Sequence, residues 1–388
     1  LKPESSQKNP WIFSAKFDLI WIIGPGIFSV LLLFFLDLAG ISSGITGSGS
    51  GRTNGKAFPT WLWLLLVPGI DVSHVYSTLF RTYFDKRQWI ERKTLLTLVP
   101  IFCFLTALIL HSFGKTIFWR IMAYLAVFHF IRQQYGFLAL YSSKEPKESK
   151  VLSFTWEKST LYVVTIIPII YWHTTPEGRN FEWFLDGDFF SFPQADIATY
   201  SLVFFWGWIF LYFVSQVYSY LRSGQFSWPK NLLLLNTAVI WYMGIVVKND
   251  DLSFTLTNIV NHGVPYMALL FMYGRFAKGN FPAVYYDAFK RIGLGVFAFL
   301  GTLIILSYSE EWLWDTFVWR EHPQLFGNDL IVKSGIGRGL ESVLVPLFFL
   351  PQFTHYVLDG FLWKIGKQNS ELRNFFGLPK KSEQNTEM

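Results

Sequence analysis

Residues 18–40 read DLIWIIGPGIFSVLLLFFLDLAG, an apolar run whose charged residues, Asp18 and Asp37, sit near its ends. A helix of this length crosses the hydrocarbon core of a bilayer. The run is too long and too far along the chain for a cleaved signal peptide, and no small-residue cleavage site follows it. It is read as a retained span. Nine further apolar runs follow, near 59–81, 94–112, 116–141, 159–174, 198–220, 231–248, 252–274, 291–309 and 338–363. The fifth is the shortest. The expected fold is therefore all-α, a polytopic integral membrane bundle of about ten transmembrane helices. A tail spans 1–17, one helical domain spans 18–363, and a second tail spans 364–388.

Composition agrees. Of 388 residues, 52% are hydrophobic, 20% aromatic and only 15% charged, against about 25% charged in soluble domains. Mean hydropathy is +0.31. So few charges cannot cover so much apolar surface, which excludes an ordinary soluble enzyme and a disordered chain. A disulfide scaffold is excluded too, because Cys103 is the single cysteine. Cys103 has no nearby His or Arg and reads as packing. Membrane lipids and a hydrophobic small molecule remain as partners, nucleic acid does not, and oligomeric state is left open.

Charge distribution tests the count of spans. With ten spans, one side collects 23 Lys+Arg, including both tails, and the other collects 9. The positive-inside rule then puts both termini in the cytoplasm. On the outer side, 41–58 is Gly/Ser-rich and reads as a flexible loop. Segment 175–197 carries Glu177, Glu182, Asp186, Asp188 and Asp196 among aromatics, and 310–337 carries Glu310, Glu311 and Asp315 among Trp312, Trp314 and Trp319. Both read as aromatic belts at the interface. The final KKSEQNTEM reads as disordered.

Ionisable residues inside spans are costly and turn toward the bundle interior. The second run contains DVSHVYSTLFRTYFD, with Asp71, His74, Thr78 and Arg81 on one face. The fourth contains FHFIRQQYGF, with His129, Arg132, Gln133 and Gly136. The eighth contains TLTNIVNHGVPYM, with His262 on a face beside Asn261. The tenth contains PQFTHYVLDGFLWK, where Gln352, His355 and Asp359 align. The four histidines lie 7, 12, 12 and 8 residues from the inner ends of their spans, so one bilayer layer holds all four, roughly 10–18 Å above the cytoplasmic boundary.

Four inward imidazoles at one depth point to a metal, with iron first and zinc or haem as alternatives. Asp71 and Asp359, each one turn from a histidine, serve as direct ligands or orient the imidazoles. Without a metal, the histidines would hydrogen-bond across the bundle. Arg132 either pairs with Asp71 or Asp359 or recognises an anionic group. Arg81, near the inner boundary, is expected to snorkel. His111, His173 and His322 read as interfacial or solvated. No HExxH, CxxCH or paired histidine box is present, nor any Walker or Rossmann glycine pattern.

Four intramembrane histidines without histidine boxes resemble the bacteriorhodopsin-related-protein-like membrane carotenoid dioxygenases. The resemblance implies a non-haem iron on His74, His129, His262 and His355 and oxygen-dependent cleavage of a carotene. This chain departs by about three extra spans and by Arg132 in a span. Its segments DVSHVYSTLFRTYFD and FHFIRQQYGFLALYS are also similar to uncharacterised bacterial membrane proteins. That implies the bacterial inner (cytoplasmic) membrane and no activity. The leading expectation is an intramembrane iron oxygenase or hydroxylase acting on a lipid-soluble substrate, with Arg132 and Gln133 orienting it. The rivals are a proton- or ion-coupled transporter or channel, a bis-histidine haem protein, and a lipid transferase using one histidine with Asn261 or an Asp.

Overall fold

The computed structural model describes residues 9–41, 59–145, 150–177, 183–185, 187–248, 250–327, 337–366 and 369–378. Nearly all of the Gly/Ser-rich loop, Glu182, Asp186 and KKSEQNTEM lie outside these residues. Among the described residues every regular element is helical. Six are long and apolar enough to cross a membrane: α1 (Ala15–Leu38), α2 (Thr60–Arg81), α3 (Lys93–Ser112), and three beyond residue 190. Before those come α4 (Lys115–Lys144) and α5 (Phe154–Thr174). Then follow α6 (Ala195–Ser223), α7 (Trp228–Val247), α8 (Asp251–Phe276) and α9 (Ile292–Trp319). The tenth apolar run is two helices, α10 (Arg338–Phe348) and α11 (Leu350–Leu362). A last short helix, α12, covers Glu371–Phe375.

The four runs outside the six are helical but less lipid-like. Most side chains that would be costly in lipid turn inward there, His129, Gln134, His262 and His355 among them, while Arg132 stays exposed. α8 is the extreme case, with 20 of its 26 residues buried. It packs along α1, α2 and α7 and touches α4. The outer helices do the opposite. Phe35 on α1, Phe210 on α6 and Phe297 on α9 are 63%, 64% and 77% exposed, a surface that suits lipid rather than water.

Local sequence fixes several helix starts. Ser14 accepts the N–H of Phe17, Asp85 those of Arg87 and Gln88, and Asp250 that of Ser253. Each satisfies first-turn donors that lack a helical partner. Pro68 has no N–H to give, and the helix around it widens into a π turn over Val67–Val72, which carries Asp71. Gly224, at φ +66°, ends α6 in the left-handed conformation that glycine adopts freely.

Three expectations are corrected here. Arg81 does not snorkel. It is fully buried, its guanidinium donates to Leu362 O, Asn369 Oδ1 and Glu371 Oε1, and it lies 4.3 Å from the Tyr273 ring centre. Much of the tail after residue 363 is folded as well, since Leu372, Phe375 and Phe376 join the main core cluster. Burial alone would push the Glu371 carboxyl up. Its own backbone N–H and the Arg81 hydrogen bond outweigh that and hold it below the usual carboxylate range.

The aromatic, acidic segments are not simple interfacial loops either. Glu310, Glu311 and Trp314 continue α9, and Asp315 sits in its final π turn. All four are buried. Trp183 is buried in a core cluster, and Asp188 accepts the N–H groups of Trp183 and Phe184. Cys103 is buried among apolar side chains, as expected of a packing residue.

Candidate metal centre

Four helices each bring one histidine to the middle of the bundle: His74 on α2, His129 on α4, His262 on α8 and His355 on α11. All four are buried. Ring centres are 4.7 Å apart for His74–His262, 5.0 Å for His74–His355, 4.9 Å for His129–His262 and 4.7 Å for His129–His355. Each ring offers a nitrogen, and those four nitrogens lie within 4.8 Å of one another. Among the described residues, no other set of three or more His, Cys, Asp or Glu converges this way.

Close helix approach makes the convergence possible. A Cβ on Gly263 would meet Ile70 Cγ2 at 2.7 Å and Ile70 O at 3.3 Å. Only glycine lets α8 lie against α2 one residue from His262. The His262 Nε2 to His74 Nε2 distance is 3.2 Å. Two imidazoles on one tetrahedral metal, with bonds near 2.0–2.1 Å, stand about 3.3 Å apart.

The surroundings assign one lone pair. Tyr266 donates its O–H to Asp359 Oδ1 at 2.5 Å. Its oxygen then accepts from Thr78 Oγ1 at 3.0 Å, and Thr78 in turn accepts from His355 Nδ1 at 2.8 Å. With a carboxylate as the terminal acceptor, every proton in this chain points toward Asp359. With Asp359 ionised, this direction would put the His355 proton on Nδ1 and leave Nε2 bare. That Nε2 is buried without a hydrogen-bond partner, as are His74 Nδ1, His129 Nε2 and His262 Nδ1. Asp71 Oδ1 lies 3.6 Å from His74 Nδ1, and Asp359 lies 3.7 Å from His129 Nε2 and 3.8 Å from His355 Nδ1. Both carboxylates thus sit beside imidazoles rather than inside the set of four.

The other expected site residues separate. Gln133 reaches α8, where its Nε2 donates to His262 O at 2.9 Å. Asn261 is buried and accepts from Asn236 at 3.0 Å, away from the imidazoles. Arg132 is exposed. It donates to Tyr162 at 3.1 Å and lies over the Tyr135 ring, and it pairs with neither Asp71 nor Asp359. Its proposed place beside the substrate therefore finds no support in position. The outer histidines are also less solvated than expected. His111 is buried against Phe118, His173 Nδ1 bonds Ile169 O, and His322 stacks on Trp63 at 4.0 Å.

Residues that sequence reading missed include Tyr266, whose spacing of four from His262 was the available signal. Also missed was a cavity of about 120 Å³ above the histidines, lined by acidic and aromatic side chains. Comparison with protein-family models, curated proteins and solved structures finds no match.

Proposed function

We propose that this is a polytopic membrane protein of about ten spans whose four central histidines hold one metal ion, iron first, and that it acts as an oxygenase or hydroxylase on a lipid-soluble substrate. The observation that carries this reading is the convergence of four buried imidazole nitrogens within 4.8 Å. A cation at the centre would engage one nitrogen of each ring, and His74 and His262 already turn Nε2 toward one another at 3.2 Å, close to the spacing of two ligands on one metal. An all-imidazole set suits iron, zinc, copper or nickel. Four crowded rings leave no slot for a flat macrocycle, which weighs against haem.

A resident iron would supply redox chemistry with oxygen. The chain's own residues do the rest. The Thr78–Tyr266–Asp359 relay orients the His355 ring through Nδ1. Gln133 braces the His262 backbone, and the apolar clusters around the site exclude water. The charge split of 23 to 9 supports cytoplasmic termini in a bacterial cytoplasmic membrane.

Metal analysis of the purified protein tests the centre. One ion per chain is expected, falling sharply in His129→Ala and His262→Ala. Zinc instead of iron would keep the centre and replace oxygen chemistry with Lewis-acid chemistry. A metal-free protein that takes up none on incubation would sink the reading and favour the transporter.

A further inference from the structure

The cavity above the histidines carries chemistry that the metal centre does not explain. Three of its lining residues stand three positions before a histidine on the same helix: Asp71 before His74, Ile259 before His262 and Gln352 before His355. Three residues of helix rise about 4.5 Å. The floor of the cavity is therefore one turn from the imidazoles.

Five carboxylates line it, from Asp71, Glu310, Glu311, Asp315 and Glu321, and neither Lys nor Arg is among its lining residues. Asp315 is committed to the backbone, accepting the N–H groups of Glu321 and His322. Glu311 is 9% exposed and lines the cavity with no hydrogen bond or ion pair. Glu310 gives one oxygen to Trp314 Nε1 and has the Tyr76 hydroxyl beside it, while its buried Oε2 makes no hydrogen bond of normal geometry. Thr255 Oγ1, on the α8 wall, is likewise buried and unpartnered. As anions, Glu310 and Glu311 would face this space with no Lys or Arg lining it, which is costly, and a cation there would favour their ionised form.

The shape selects the kind of cation. These carboxylate oxygens do not converge as the four imidazoles do, so they are too spread to close on a bare metal ion. Five tryptophans share the walls: Trp63, Trp119, Trp183, Trp314 and Trp319. Indole faces attract organic cations and exclude water.

We propose that this cavity binds an organic ammonium group, a protonated amine or quaternary ammonium, between its carboxylates and its indole walls. The group belongs to a free small molecule or to the headgroup of a lipid. Binding stands independently of the metal. That the bound molecule is the one presented to the metal centre rests on the function proposed above.

The test is titration of the full-length protein in detergent, read by tryptophan fluorescence and thermal midpoint. The probes are choline, a single-chain choline-headed lipid, the uncharged isostere 3,3-dimethylbutanol, and calcium. Choline should saturate the fluorescence change and raise the midpoint, and the isostere should do neither. Glu311→Gln, nearly identical in shape, should weaken choline binding about tenfold, because the quaternary ammonium, which has no N–H to donate, loses one Coulombic partner. Trp319→Leu should weaken it too and serves if the first variant does not fold. Much tighter binding of the lipid than of choline identifies a headgroup, and equal binding identifies a free ammonium compound. Equal response to the isostere, a response to calcium alone, or no response at all overturns the proposal. Metal content is measured on the same samples. A metal-loaded protein that ignores choline sinks only the cation site, and a metal-free protein that binds it sinks only the metal centre.

Discussion

His355 shows how much a single hydrogen-bond direction decides. Asp359 accepts from Tyr266, so Tyr266 must accept from Thr78, and Thr78 from His355 Nδ1. Tyr266→Phe removes the middle of that chain and keeps the ring. Thr78 is then free to turn, and His355 is free to place its proton on Nε2. Metal affinity should fall about 10–100-fold, the usual cost of losing an orienting partner, with the fold intact. Competition with a chromogenic chelator measures this, and unchanged affinity would show that the relay does not set the tautomer. Sequence periodicity found His355 and Asp359 because intramembrane charge is rare. It passed over Tyr266 because a tyrosine in an apolar run reads as packing. Arg132 was misplaced for a geometric reason. Three residues past His129 turn about 60° one way around the helix, and four turn about 40° the other way. Gln133 therefore reaches α8, while Arg132 turns to Tyr162 on α5.

Among the elements, α8 and α2 depend on one another through Gly263. An added methyl would press on Ile70 Cγ2 at 2.7 Å and on the Ile70 carbonyl at 3.3 Å. The side chain has little room, and the carbonyl belongs to the π turn that carries Asp71. Gly263→Ala should therefore push the helices apart and cost about 1–3 kcal/mol, the usual range for overpacking. Metal content should drop with it, because His262 and His74 stand 3.2 Å apart across this contact. A variant with normal thermal midpoint and full metal content would show that the approach has slack. Apolar length made the long helices legible, but it misjudged where some of them end. Hydropathy drops at Glu310, so α9 was expected to end at 309. The helix runs on because its acidic turn faces a protein cavity rather than lipid. The C-terminal helix α12 was missed for a related reason. Its Glu371 is spent on Arg81, and Leu372 and Phe375, with Phe376 just after the helix, reach the core.

At the scale of the molecule, the four imidazoles lie between positions 74 and 355 and come from four separate helices. No local motif could announce such a site, and shared depth in the membrane was the available sign. The same dispersion would give a bound metal a global role. An ion bound by four helices binds the folded bundle and not the unfolded chain, so its binding free energy adds to stability. At a free metal concentration 1,000 times the dissociation constant, the gain is about 4 kcal/mol. Chelation should therefore lower the thermal midpoint of the whole bundle in one cooperative step, seen alike by helix content and by tryptophan fluorescence. Returning the metal should restore it. His129→Ala removes one ligand from α4 and leaves the apolar packing around it, so its midpoint should start low and respond weakly to chelator. If chelation strips the metal from the native protein without moving its midpoint, the ion sits in a bundle already fixed by packing. The histidines would then be a site that the fold carries, with no part in holding it together.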